Sequence, residues 1–193
     1  MATLRRSLRV HSGKKRLALR YARLLAIIDE NTSTYALSFT DMYAVYPSVT
    51  GVSAVAQYNI PAHSQPFRVV KAHFNLIRVG SPNGHLQAVV MQGVTIKAYS
   101  VPIPMLNIPL AFTEVEFVFP YPYYVVSGVY SIGVIVVDGT NLAEGTNLIR
   151  IQWNNSQVFD GASTFFIYYL NGAWYEIGVV DVVFKTYGIW GSS

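Results

Sequence analysis

Phe67-Arg-Val-Val-Lys-Ala-His-Phe-Asn-Leu-Ile-Arg-Val79, running into Gly80-Ser-Pro-Asn-Gly84, is the stretch whose reading decides the fold. It holds β-branched and aromatic residues interleaved with polar ones, has no Gly or Pro inside, and stops at a cluster of turn formers. That is the signature of a β-strand and the turn that ends it. The same grammar repeats outward in both directions. Strands are expected near residues 35–39, 52–58, 67–79, 87–92, 94–100, 115–119, 130–137, 147–153, 163–169 and 179–187. Beyond Glu30 no helical stretch of ten residues occurs, so the crossover helices of a parallel sheet are missing. Many short strands without helices predict an all-β antiparallel sandwich or barrel.

Two segments break the strand pattern. In Val101-Pro-Ile-Pro-Met-Leu-Asn-Ile-Pro-Leu110, three prolines lack the ladder donor, so the segment reads as an extended edge or loop. Pro120-Tyr-Pro-Tyr-Tyr124 is a second such piece. Both are apolar. They pack either across the end of their own sandwich or against another chain.

Before Glu30 the period changes. From Gly13 to Asp29 the residues Leu17, Tyr21, Leu24, Leu25 and Ile28 fall on one face at 100° per residue, which predicts an amphipathic helix with Ser12 at its cap position. Its charges oppose the helix dipole, with cations at the start and Asp29-Glu30 at the end. Such a helix needs something to dock on: its own β body, a neighbouring subunit or a lipid surface. Residues 1–34 are therefore expected to be a basic arm and helix, and residues 35–193 the β body.

Composition agrees. The chain has 193 residues, 52% apolar and only 12% charged, with no cysteine. The absence of cysteine excludes disulfides, thiolate-bound metals and thiol nucleophiles. Charge is placed unevenly. Residues 1–23 carry Arg5, Arg6, Arg9, Lys14, Lys15, Arg16, Arg20 and Arg23 and no acid, while the remaining 170 residues carry six basic and ten acidic side chains. A basic arm on a mildly acidic body implies a partner such as packaged DNA, an anionic membrane or an acidic protein patch; the alternative is a solvated arm. No secretory signal pattern is expected, because Leu24–Ile28 is too short and Asp29-Glu30 follows at once. No apolar run reaches the length of a membrane span.

The order of several segments resembles a jelly-roll β-sandwich family found in phage and archaeal-virus structural proteins and in carbohydrate-binding-like surface domains. The matching pieces are Ala56-Gln57-Tyr58, the strand and turn of residues 69–84 with residues 85–90 after it, Gly128-Val129-Tyr130, residues 163–169, Gly172-Ala173-Trp174 and residues 181–188. The resemblance covers roughly residues 50–188 and leaves the basic helix outside. It implies a jelly roll and no particular chemistry.

Candidate chemistry is sparse. His11, His63, His73 and His85 form no zinc-binding spacing. Glu114 and Glu116 share one strand face, as a glycosidase pair would, but a solvated face beside a basic neighbour explains them as well. Asp138-Gly139 and Asp160-Gly161 are strand-end turns that could offer oxygens to calcium, without an EF-hand pattern. Asn31-Thr-Ser33 and Asn154-Asn-Ser156 fit a glycosylation triplet that is common by chance. The aromatics Trp153, Trp174, Tyr175 and Trp190, near strand ends, are candidates for glycan stacking or protein contact, with core packing the plainer role. The expectation is thus a non-enzymatic virion structural protein without cofactor. It would be assembled with copies of itself and other virion proteins through its basic helix and its sheet faces. The alternative is a carbohydrate-binding or host-attachment module at a cell surface or secreted.

Overall fold

Phe67–Val79 forms one of the two longest strands of an all-β sandwich in a computed structural model that describes residues 25–32, 38–42, 51–61, 63–125, 128–154, 165–171, 173–177 and 181–191. In chain order the strands are β1 Leu25–Asn31, β2 Ser38–Met42, β3 Val52–Pro61, β4 Phe67–Val79, β5 His85–Gln92, β6 Thr95–Tyr99 and β7 Ile103–Pro104. A 3-10 turn at Met105–Asn107 follows. Then come β8 Thr113–Val125, β9 Val129–Asp138, β10 Leu148–Asn154, β11 Phe165–Leu170, β12 Ala173–Ile177, β13 Asp181–Val182 and β14 Phe184–Trp190.

All pairings are antiparallel. The first sheet runs β1-β14-β4-β10-β13, with β8 on the other edge of β4 and β2 on β10; the second runs β12-β11-β3-β9-β5-β6, with β7 on β5. Strand β4 serves as the spine of the first sheet. Its Phe67, Val69, Ala72, Phe74 and Leu76 are buried. The three-residue step from Val69 to Ala72 breaks the alternation where the pairing with β8 shifts register between Val69 and Lys71. That bulge lets one long strand keep its apolar side inward along its whole length.

The core lies between the sheets. Phe74 meets Phe117 and Phe184 at ring separations of 6.0 and 6.5 Å, and Val55, Leu86, Ala88, Val90, Ile132 and Val134 close it from the second sheet. Each such aliphatic or aromatic side chain contributes roughly 1.5–3 kcal/mol by leaving water. Polar groups buried between the sheets are paired. Gln57 donates to Asp181 at 2.6 Å and accepts from the Val182 N–H at 2.9 Å. Asn31 and Asn154 exchange side-chain hydrogen bonds, at 3.3 and 3.1 Å. Among the described residues no buried side-chain N or O lacks a partner.

The Gly80–Gly84 turn carries the chain from the first sheet to the second. Asn83 Oδ1 accepts the N–H groups of Thr140 and Asn141 at 2.8 and 3.2 Å, which ties the turn to the loop after β9. Gly84 has φ +98°, and a Cβ there would lie 1.8 Å from the Asp138 carbonyl oxygen, so only glycine fits.

The structure corrects the reading of the N-terminal region. Leu25 and Ile28, expected on the docking face of a helix, belong to strand β1, which pairs with β14 from Leu25↔Ile189 to Asn31↔Phe184. The sheet therefore takes in residues placed by sequence in the arm and helix. Residues 24–28 form an unbroken apolar run, whose period alone does not separate helix from buried strand. Ladder bonds to β14 decide it, and the acids Asp29 and Glu30 are not at a helix end. Residues 1–24, with the rest of the expected helix, lie outside the described residues. The strand expected at 179–187 is interrupted and becomes β13 and β14. β12 was not anticipated. Pro120 and Pro122, in the piece read as an extended edge or loop, sit within strand β8, whose pairing across Phe67 to Leu76 is with β4; an edge strand tolerates proline. The segment at 101–110 contributes two residues of edge strand, β7, and the 3-10 turn.

Candidate functional site

A pocket opens at the end of the sandwich where β1, β4 and β14 meet the loop after β3. Beneath it the first strand carries a bulge. The register of β1 on β14 shifts between Ile27 and Asp29, so both Ile28 and Asp29 turn inward, at 7% and 9% exposure. Asp29 thereby enters the protein beneath the 61–66 loop.

There its carboxylate meets two elements and its backbone a third. Tyr130 of β9, fully buried, donates its hydroxyl to Asp29 Oδ2. His63 Nε2 lies 3.0 Å from Oδ1. Thr186 of β14 receives the Asp29 N–H on its hydroxyl oxygen at 3.1 Å and stands 3.2 Å from the Tyr130 hydroxyl. Burial pushes the Asp29 carboxyl above the usual carboxylate range, opposed by the hydrogen bond from Tyr130 and by the charge and hydrogen bond of His63. Burial and the neighbouring Asp29 raise the Tyr130 phenol well above its ordinary value, so it stays a donor.

Above this network sits an aromatic cluster. His63 packs edge-on to Trp190 at 5.1 Å and to Phe67 at 5.7 Å, and Phe67 packs on Tyr130 and on Trp190, each at 5.5 Å. Trp190 is 39% exposed. With His63, Ser64 and Gln65 it lines a cavity of about 260 Å³. That is close to the low end of ligand clefts, roughly 300–1,000 Å³, and suits one small ring rather than a long chain. An apolar indole face beside a hydroxyl, an amide and an imidazole is the equipment for a flat, hydroxylated ligand.

The other sequence candidates are dispersed. Trp153 donates to Thr40 Oγ1 at 3.2 Å and packs against the main core. Trp174 packs on the outward face of the second sheet and lies 5.2 Å from Tyr169. Tyr175 is exposed on β12. Of the four aromatics only Trp190 reaches the pocket. The basic arm residues Arg5, Arg6, Arg9, Lys14, Lys15, Arg16, Arg20 and Arg23, and the expected docking residues Leu17, Tyr21 and Leu24, lie outside the described residues.

Glu114 and Glu116 stand on the outer face of the first sheet. Glu114 accepts from Lys185 and His73, both at 2.5 Å, and Glu116 accepts from Lys71 at 2.6 Å and lies 3.1 Å from His73. Partial burial works against ionisation of Glu114, but the bonds from Lys185 and His73 outweigh it and lower its pKa. The Lys71 bond lowers Glu116. These carboxylates are occupied by Lys71 and Lys185. Asp138 accepts the His85 N–H at 2.7 Å and pairs with its ring. No group of three or more potential ligand side chains capable of holding a metal occurs among the described residues.

In the sequence reading His63 stands only among the histidines without a zinc spacing and Asp29 only as an acid at the expected helix end; Ser64 and Gln65 carry no site signal of their own. The loop carried one signal: Pro61-Ala-His-Ser-Gln-Pro66 is polar and bracketed by prolines between two strands. Such a loop is short, stiff and ends in a fixed direction. Asp29 carried none, because its role depends on a bulge.

No family model matches the chain, and no curated protein matches it. Among solved structures it is similar to the crystal structure of the cysteine protease and lectin-like domains of Cwp84, a surface layer associated protein of Clostridium difficile. The identity is 9% and the TM-score 0.47, over 78% of this chain and 36% of that one. The chain thus spans about a third of that neighbour's length.

Proposed function

We propose that the protein is a non-catalytic carbohydrate-binding β-sandwich that holds one sugar ring in the end pocket, and that it works where glycans are met, on a cell or particle surface. Its strands pass back and forth between the two sheets in the manner of a jelly roll. One observation carries the functional reading: a half-exposed Trp190 shares a small cavity with His63, Ser64 and Gln65, above a buried network that fixes the His63 ring. The C–H face of a pyranose stacks on the indole, and its hydroxyls find the imidazole, hydroxyl and amide.

The test is a glycan array probed with the full chain, followed by calorimetry on the hits. Trp190→Ala is expected to weaken binding at least about tenfold, a loss of about 1.4 kcal/mol, while Trp174→Ala leaves it unchanged. An array without hits, or hits indifferent to Trp190→Ala, ends this reading.

A second reading, assembly in many copies as a virion structural protein, draws on a different feature. Where the edges of the two sheets meet, the Val101 N–H donates to the Val118 carbonyl at 2.8 Å. Along that side Tyr99, Val101, Val118 and Tyr121 are exposed, Tyr121 to 85%. Exposed apolar side chains in a row suit contact with another chain. Mass photometry of the purified chain decides it: a monomer at all accessible concentrations excludes self-assembly.

A further inference from the structure

Strand β8 interrupts its pairing with β4 at one place. Tyr123 stands opposite Val69 and Val118 opposite Lys71, so residues 119–122 of β8 face the single residue Val70. The surplus chain bends away from the ladder. Phe119 is held inside at 2% exposure, while Pro120, Tyr121 and Pro122 are exposed. Tyr121 is 85% exposed, more than any other large hydrophobic side chain among the described residues. Its backbone is stiff. Pro122 restricts Tyr121 to extended conformations, and Pro120 fixes its own φ one residue earlier. Both prolines also lack the ladder donor, so this edge offers a partner a side chain rather than a strand.

We propose that Tyr121 of one copy inserts into the end pocket of a second copy, where His63, Ser64, Gln65 and Trp190 receive the protruding phenol. The fit is steric and chemical. The cavity of about 260 Å³ takes one small ring, and Tyr121 presents one ring with one hydroxyl. The ring packs on the Trp190 indole, and its hydroxyl bonds to the Ser64 hydroxyl or the Gln65 amide. His63 is already fixed by Asp29 at 3.0 Å. Pocket and ring are therefore both formed before they meet, and little freedom is lost on contact. No Asp, Glu, Lys or Arg occurs among the pocket residues or in 119–122, so no fixed charge leaves water. Tyrosine and tryptophan are also the side chains that most often anchor interfaces. Ring and pocket are different surfaces, so the contact is head-to-tail and either closes on itself or runs on as a chain. This inference rests on the pocket's geometry and not on the sugar reading, since sugar and phenol would contend for the same indole.

Sedimentation velocity of the full chain over a wide concentration range tests this. The chain is expected to associate, and Tyr121→Ala and Trp190→Ala should each weaken association at least about tenfold, the loss typical of an interface anchor. Mixing the two variants is the decisive step. One keeps the pocket and the other keeps the ring, so the equimolar mixture should regain a species of twice the monomer mass and nothing larger. Ser64→Phe, at an exposed loop position, fills the pocket and takes the place of Trp190→Ala if circular dichroism shows the latter to disturb the fold. A monomer at every concentration, association indifferent to either substitution, or a mixture that stays monomeric or grows beyond pairs overturns the proposal. The glycan array answers separately: an array without hits leaves the association standing, and hits on a chain that never associates leave the sugar reading standing.

Discussion

Tyr130→Phe removes one oxygen from the network beneath the pocket and leaves the packing alone. The ring is 1% exposed and sits edge-on to Phe67 at 5.5 Å, so phenylalanine keeps the contact and opens no cavity. What disappears is the donor to Asp29 Oδ2 and the contact with Thr186. A hydrogen bond to a charged acceptor is worth roughly 1.5–3 kcal/mol. Thr186 retains the Asp29 backbone, at 3.1 Å to the nitrogen and 3.3 Å to the oxygen, and loses little. The expected cost at pH 7 is therefore about 2–3 kcal/mol, or a fall in Tm of about 4–12 °C for a domain of this size. The pH dependence is the sharper test. Burial raises the folded-state pKa of Asp29, so the ionised carboxylate penalises the fold at neutral pH. That penalty is relieved as pH falls through the folded pKa and is gone below the unfolded value of about 3.9. Tyr130 opposes the rise, so the variant carries the larger penalty and regains more on acidification. Its deficit should shrink to about 1 kcal/mol once Asp29 is protonated and only a neutral bond is missing. Urea titrations followed by tryptophan fluorescence at pH 7, 5 and 4 measure this, with m unchanged. A deficit that is the same at all three pH values would refute the reasoning, because it would place the hydroxyl's worth somewhere other than the Asp29 charge.

Two other perturbations probe the frame around the site. Gly188→Ala would place a Cβ 2.4 Å from the Arg68 carbonyl oxygen and 2.9 Å from Ile28 Cγ1; backbone cannot yield there, and overpacking should cost about 1–3 kcal/mol in thermal or chemical melts. Glu114→Gln with Glu116→Gln should flatten the acid limb of the stability curve. Their lowered pKa values mean that their contribution is present above the unfolded carboxyl value of about 4.3 and is lost as pH falls through the folded one. The side chains are 44% and 48% exposed, so the effect is screened to under about 1 kcal/mol and should vanish at high salt.

The fold was legible where one residue after another obeyed the same rule. In β4 the β-branched and aromatic content, the absence of breakers and the Gly80–Gly84 stop agree, and the strand runs as read even across its bulge. In β1 the rules collide. Leu24 to Ile28 is apolar at every position, and a bulge then turns Ile28 and Asp29 to the same side, so neither period fits. Only the pairing with β14, more than 150 residues away along the chain, selects the strand, and no local pattern contains it. β12 escaped for a related reason: Ala173–Ile177 is five residues behind a tight turn at Asn171, whose φ of 49° marks a left-handed position. The site was legible in part. Trp190 was singled out as a surface aromatic, yet Trp153, Trp174 and Tyr175 looked equivalent, because aromatic residues near strand ends do not announce which face they take. His63, Ser64 and Gln65 required knowing that the end of β3 and the end of β14 meet.

That meeting explains why the pocket lies here and not at the sandwich's other end. At the far end Asn83, Asn141 and Asn147 spend their side chains on backbone groups of the turns, as when Asn147 accepts the Ser81 N–H at 2.9 Å. Those amides are consumed in holding the loops together. At the near end the loops are held from below, by a carboxylate that the β1 bulge carries inward. Asp29 takes the hydrogen bond from Tyr130 and engages one nitrogen of His63, so Ser64, Gln65 and the indole of Trp190 need not stabilise the loop themselves. A buried carboxylate is a costly support, and an apolar residue would pack there at less expense in desolvation. Its effect is positional: it fixes the His63 ring against Trp190 while leaving the polar atoms of Ser64 and Gln65 beside open space. Asp29→Asn should accordingly bind sugar less well even where it folds more stably at neutral pH. A variant more stable and equally competent would show that the carboxylate does not position the site.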